Sequence, residues 1–218
     1  YLLVLNLPRS FTTSVSKQFE IISLILIRRI FADIPKVDLN ADWFSTKGNL
    51  ELIYNIVGVL ILYYLIFLFN KARHRLEKKP LTEIINRFVT SKKGVSLILL
   101  FVLIVLSFTS MYSWGQGLIL NDPSNDINSV FYNEFFSVLI LADVLILLLS
   151  FQYTERYSQI VRNTGFIIST VLIRLSFGVT GLANISLVVS SVVFGLIILW
   201  VYNLSETERK KRIGIISE

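Results

Sequence analysis

Long apolar runs alternate with short polar segments along the whole chain, and the runs have the length of membrane crossings. Asn49–Phe69 (NLELIYNIVGVLILYYLIFLF), Gly94–Trp114 (GVSLILLFVLIVLSFTSMYSW) and Val130–Phe151 each hold about 20 residues, which is what an α-helix needs to traverse a hydrocarbon core roughly 30 Å thick. The stretch Gly165–Leu204 is about 40 residues long, enough for two passes. Its one turn-forming centre runs from Gly178 to Asn184 and holds two glycines, a threonine and, at its end, Asn184 as a candidate helix N-cap. This predicts a tight hairpin of helices over Gly165–Val179 and Asn184–Asn203. The first of these is short for a full crossing, so its turn is expected below the surface, where protein or water must cover the irregular backbone. Continuous rather than alternating apolar runs exclude a β-barrel.

Phe11–Ile34 reads differently. Its apolar core, Ile21–Ile27, is broken only by Ser23 and is bounded by Lys17 and Glu20 on one side and Arg28-Arg29 on the other. A stretch this short fits an interfacial helix or a tilted span with snorkelling ends. The expected fold is therefore all-α, a multi-pass transmembrane helical bundle. Residues 1–48 form an N-terminal segment with an interfacial or tilted helix. Residues 49–204 carry five spans at about 49–69, 94–114, 130–151, 165–179 and 184–203, and residues 205–218 form a basic tail. No internal repeat stands out, which weighs against a self-contained secondary transporter.

Composition agrees. The 218 residues are 54% hydrophobic and only 17% charged, against about 25% charged in soluble domains. The formal charge of +6 is bunched between the runs. Asn70–Lys93 carries Lys71, Arg73, Arg75, Lys78, Lys79, Arg87, Lys92 and Lys93, whereas Gly115–Ser129 has no Lys or Arg. Arg156 and Arg162 lie in the polar segment Gln152–Thr164, and Arg209, Lys210, Lys211 and Arg212 lie in the tail. Basic loops lie inside by the positive-inside rule, which predicts a cytoplasmic C-terminus and argues against nucleic-acid binding as the purpose of the charge. Trp43 and Trp114 then fall at the outer edge, and Trp200, Tyr202 and Tyr153 near the inner one. The chain opens on Tyr1 rather than Met, which leaves room for a preceding apolar segment ending in YLLVLNL.

Against this background two ionisable residues sit at membrane depth, Asp143 in FFSVLILADVLILLLSF and Arg174 in FIISTVLIRLSF. Such residues are costly in hydrocarbon and point to a site with a partner. Asp143 lies nine residues before Gln152 and Arg174 ten residues after Thr164, so both are expected roughly 13–15 Å from the same surface at about 1.5 Å per residue. Two readings follow: a gating or permeation element that makes and breaks, or a static helix clamp. Proton relay through Asp143 fits less well, because a neighbouring guanidinium keeps the carboxylate ionised.

Small and hydroxylated residues, Ser169, Thr170, Ser176, Ser186, Ser190, Ser191 and Gly195, cluster near Arg174 and suit pore lining or close helix packing. The loop cations Lys71, Arg73, Arg75, Lys78 and Lys79 are candidates for docking anionic lipid or a soluble partner. Leu81, Ile84, Ile85 and Phe88 in PLTEIINRF have the spacing of a short amphipathic helix on the inner leaflet.

The chain has no cysteine and one histidine, His74. No disulfide, metal site, GxSxG, HExxH or phosphate loop can be drawn, and no enzyme activity or cofactor is implied. The sequence therefore predicts the membrane subunit of an oligomeric helical-bundle ion channel or pore, gated or stabilised by the Asp143–Arg174 pair, with membrane lipids and copies of itself as partners. The alternative is a membrane anchor or signalling subunit that recruits a cytoplasmic protein, and the third choice is a small-solute transporter. Residue usage leans toward a bacterial inner membrane.

Overall fold

The computed structural model describes residues 6, 10–37, 44, 46–73, 83–120, 127–153, 156–179, 181–212 and 214. Among these the secondary structure is helical throughout: α1 (Phe11–Asp33), a 3-10 turn (Ile34–Lys36), α2 (Lys47–Arg73), α3 (Glu83–Leu120), α4 (Ile127–Tyr153), α5 (Tyr157–Ser176) and α6 (Leu182–Arg212). Four stretches are long and apolar enough to cross a membrane: Gly48–Arg73, Val89–Tyr112, Glu134–Gln152 and Leu182–Arg209. These lie in α2, α3, α4 and α6, and they make the chain a membrane protein of helical-bundle type.

Several elements depart from the sequence pattern. The polar segment expected between α4 and α5 is mostly helix, because α5 begins at Tyr157 and ends at Ser176. Of the short helix expected over PLTEIINRF, Glu83–Phe88 opens a 38-residue helix, and residues 80–82, with Leu81, lie outside the described residues. Asn184 is not the N-cap of α6. It lies inside the helix and donates from Nδ2 to the carbonyl of Ser176, tying the start of α6 to the end of α5. The turn between them is made by Gly181 at φ 66°, the left-handed region that glycine enters without a Cβ clash.

The chain divides into two compact units. One comprises residues 1–9 and 81–153, the other residues 10–80 and 154–218. In the first, the α3–α4 hairpin, the two helices pack on each other, and Leu139, Ala142 and Ile146 are buried along one face of α4.

The second unit is a ring of four helices: α1 packs on α2, α2 on α6, α6 on α5, and α5 on α1. Hydrogen bonds fix the directions. Ser16 meets Asn70 and Asp33 meets Asn55, so α1 and α2 are antiparallel. Ser169 meets Ser191 and Ser176 meets Asn184, so α5 and α6 are antiparallel. Asn203 donates to the carbonyl of Ala72 at one end, while Ile185 lies on Gly58 nearer the other, so α2 and α6 are parallel. The unit is thus two helical hairpins, α1–α2 and α5–α6, set side by side in the same sense.

Their packed faces correspond. Leu52, Asn55, Gly58, Leu62, Ile66 and Phe69 are buried on α2, and the residues 133 positions later (185 − 52, 202 − 69) are the buried Ile185, Val188, Ser191, Gly195, Leu199 and Tyr202 of α6. Asn70 and Asn203 follow in the same register. The first helices also match in sequence: IISLILIRRIF (Ile21–Phe31) and IISTVLIRLSF (Ile167–Phe177) agree at seven of eleven positions. Packing sets them one residue away from that match, with Phe19 and Phe166 as the corresponding fully buried rings. Phe19, Phe69 and Phe166 form one edge-to-face cluster, with centroids 5.1 and 5.8 Å apart.

Helices approach closely where side chains are absent. A Cβ on Gly58 would fall 2.5 Å from Ile185 Cγ2, and one on Gly165 would fall 2.7 Å from Ile198 Cγ1.

Candidate functional site

Polar contacts join the helices of the four-helix unit at several levels, beside an apolar core that includes Phe19, Leu62, Phe69, Phe166, Val192 and Leu199. At the end where α1 begins, Ser16 Oγ donates to Asn70 Oδ1 (2.5 Å), and Asn70 Nδ2 reaches Glu20 Oε1 (3.4 Å). Glu20 is also paired with Lys17. Further along, Arg174 Nη2 donates to Gln18 Oε1 (3.4 Å), joining α5 to α1. Ser169 and Ser191 donate reciprocally to each other's carbonyl, at 2.8 and 2.6 Å, with their Oγ atoms 3.2 Å apart. At the far end Asn55 Nδ2 donates to Asp33 Oδ2 (2.8 Å). Seventeen residues separate Ser16 from Asp33 (33 − 16), roughly 25 Å of helix. From end to end these contacts, the polar column of this unit, span nearly the thickness of a hydrocarbon core.

The helices that carry it are built for it. Thr12, Ser14, Ser16 and Gln18 of α1 are buried, as are Asn163, Ser169, Thr170, Arg174 and Ser176 of α5. Leu24, Phe31, Ile168 and Leu175 face outward on the same two helices. In a soluble protein the polar face of an amphipathic helix points outward, and here much of it points inward.

Sequence-identified residues distribute unevenly. Arg174 is 4% exposed and Asp143 2% exposed. Arg174 belongs to the four-helix unit and Asp143 to the α3–α4 hairpin. Ser169, Thr170, Ser176, Ser191 and Gly195 are buried, while Ser186 and Ser190 are exposed. Gly195 lets Ser169 Oγ and the Phe19 ring come to within 3.0 and 3.1 Å of where its Cβ would be, so the Ser191–Gly195 face is the packed one. Lys71 is exposed and Arg73 half-buried. Arg75, His74, Lys78 and Lys79 lie outside the described residues. Gln18, Asn55, Asn70 and Asp33 were not singled out from sequence. Gln18 is neutral and lies 156 residues from Arg174, so neither charge nor spacing announces it.

The Ser169–Ser191 exchange gives a local test. Each hydroxyl donates to a backbone carbonyl that the other substitution leaves in place, so Ser169→Ala and Ser191→Ala should each cost about 0.5–1.5 kcal/mol by unfolding in detergent and add nearly independently in the double variant. Single variants as stable as the parent would mean that the exchange contributes nothing.

No family model, curated protein or solved structure matches this chain.

Proposed function

We propose that the protein is the membrane subunit of a helical-bundle channel or pore, with the polar column of the four-helix unit as its path. The observation that carries this is the column itself. Polar side chains from α1, α2, α5 and α6 meet inside one bundle over roughly 25 Å, with the buried guanidinium of Arg174 among them. Packing alone is served by apolar and small residues at far lower cost. In this reading α1 and α5 cross the membrane as well. They fail as apolar spans because their polar residues are shielded by α2 and α6, beside which they run. All four helices then place Arg73, Arg156, Arg162 and Arg209 on one side, which is cytoplasmic by the positive-inside rule, and the C-terminus with them. A bacterial inner membrane and a homo-oligomer belong to the same proposal.

Protein reconstituted in liposomes should pass small ions or polar solutes down a gradient at a rate set by the amount of protein. The Ser191→Leu variant, which plugs the column at a small buried position, should reduce flux at least tenfold. Vesicles as tight as protein-free controls would sink the proposal.

The paired hairpins favour one second reading, a small-solute transporter, because transport folds are commonly assembled from parallel repeats. Saturable uptake with a turnover ceiling would select it over a pore.

A further inference from the structure

We propose that the end of the four-helix unit where α2 and α6 finish is a binding site for the phosphate of an anionic lipid headgroup. Three helices bring arginines together there. Arg162 of α5 lies over the Tyr202 ring of α6, 4.3 Å from its centroid, and turns Nε and Nη2 onto the side chain of Asn163. Arg156, which caps α5, and Arg209 of α6 share one carboxylate. Glu206 accepts from Arg209 Nη2 at 2.9 Å and lies 3.8 Å from Arg156 Nη1. Arg73 ends α2 next to Ala72, whose carbonyl Asn203 binds. Glu206 also acts electrostatically on Arg162, so three guanidiniums look to one carboxylate.

The donors are not used up. Arg73 Nη1 and Arg209 Nε are buried and have no hydrogen-bond partner among the described residues. The C-terminal dipoles of α2 and α6 account for cations at Arg73 and Arg209. They do not account for buried N–H groups left without acceptors, which is costly at a charged group. Guanidinium forks match phosphate oxygens bidentately, and aromatic stacking holds Arg162 flat and pre-oriented.

Position selects the source of the phosphate. From Val193 onward the exposed residues of α6 are apolar as far as Leu204, with Ile197, Trp200 and Val201 between, then polar at Ser205, Thr207 and Glu208. The arginines therefore lie where the apolar surface ends, at headgroup level, with Trp200 and Tyr202 marking that boundary.

The test measures binding of phosphatidylglycerol by the purified full chain, read as the rise in unfolding temperature on titrating the lipid into neutral-lipid nanodiscs. The site predicts a saturable rise. The double variant Arg162→Gln with Arg209→Gln should bind about 25-fold more weakly, at about fivefold per arginine. The single variant Arg209→Gln, on the half-exposed part of α6, should lose about fivefold and keeps the test valid if the double variant misfolds. Lys211→Gln with Arg212→Gln removes the same charge from exposed positions and should leave binding unchanged. Equal losses in the tail variant would reduce the effect to bulk charge and overturn the proposal. A rise that inorganic phosphate reproduces at the same concentration would overturn the lipid as its source.

Discussion

Replacing Gly58 with leucine should force α2 and α6 apart and cost at least about 3 kcal/mol of stability, the upper range for overpacking. Ordinarily the change from glycine would help a helix, since glycine costs about 1 kcal/mol against alanine there. Here the sign reverses, because even a Cβ at Gly58 lands 2.5 Å from Ile185 Cγ2, a branch fixed to the backbone by one bond. The contact joins the two hairpins, so its loss opens the ring rather than one hairpin. Gly165→Leu should act similarly through Ile198, but within the α5–α6 hairpin. Gly94 is the control, as nothing lies within 4 Å of its Cβ position, and Gly94→Leu should be tolerated. Unfolding in mixed detergent with far-ultraviolet circular dichroism measures all three. Equal tolerance at Gly58 and Gly94 would contradict the described α2–α6 packing.

The second large effect concerns Arg174. Arg174→Leu should leave the helices assembled yet lower flux at least tenfold, because it removes the cation from the column while filling its volume. Leucine fills the volume, while removing a buried charge leaves its hydrogen-bond partners without a donor. Gln18 is one of them, at about 1–3 kcal/mol for an unsatisfied buried amide. Adding Gln18→Leu should recover that stability without recovering flux. If Arg174→Leu conducts normally, the guanidinium is packing only and the column loses its most telling member.

How far the fold could be read from sequence depended on what each helix hides. The helices α2, α3, α4 and α6 were legible because their length and continuity signal crossing irrespective of packing partners. By contrast, α1 was read as interfacial or tilted because Lys17, Glu20, Arg28 and Arg29 interrupt its apolar residues. The short apolar core Ile21–Ile27 does not say which face of the helix is inward, and Thr12, Ser14, Ser16 and Gln18 are among the buried residues. The α5 start was missed for the same reason. Arg162 and Asn163 look like loop residues until Tyr202 supplies a ring for one and the bundle buries the other.

At the site, Arg174 and the small residues Ser169, Ser191 and Gly195 were legible as costly or spacing-defined positions. Their partners were not, since Gln18 and Asn55 are neutral and distant in sequence. The hairpin correspondence was overlooked although one part of it stands in the sequence, the seven positions shared by Ile21–Phe31 and Ile167–Phe177. Its other part, a burial rhythm on α2 and α6, was hidden, because buried positions cannot be told from lipid-facing ones when both are apolar.

The central claim is that α1 and α5 cross the membrane as polar, shielded helices. The chain contains no cysteine, so single cysteines can be introduced without a background. Residues exposed near both ends serve: Ser10 and Ile34 for α1, Tyr157 and Gly178 for α5. In sealed, oriented vesicles, a membrane-impermeant thiol reagent should label Ser10→Cys and Tyr157→Cys from the side that carries Arg209. It should label Ile34→Cys and Gly178→Cys only from the opposite side. Labelling of Ser10→Cys and Ile34→Cys from the same side would place α1 along the surface and contradict the account.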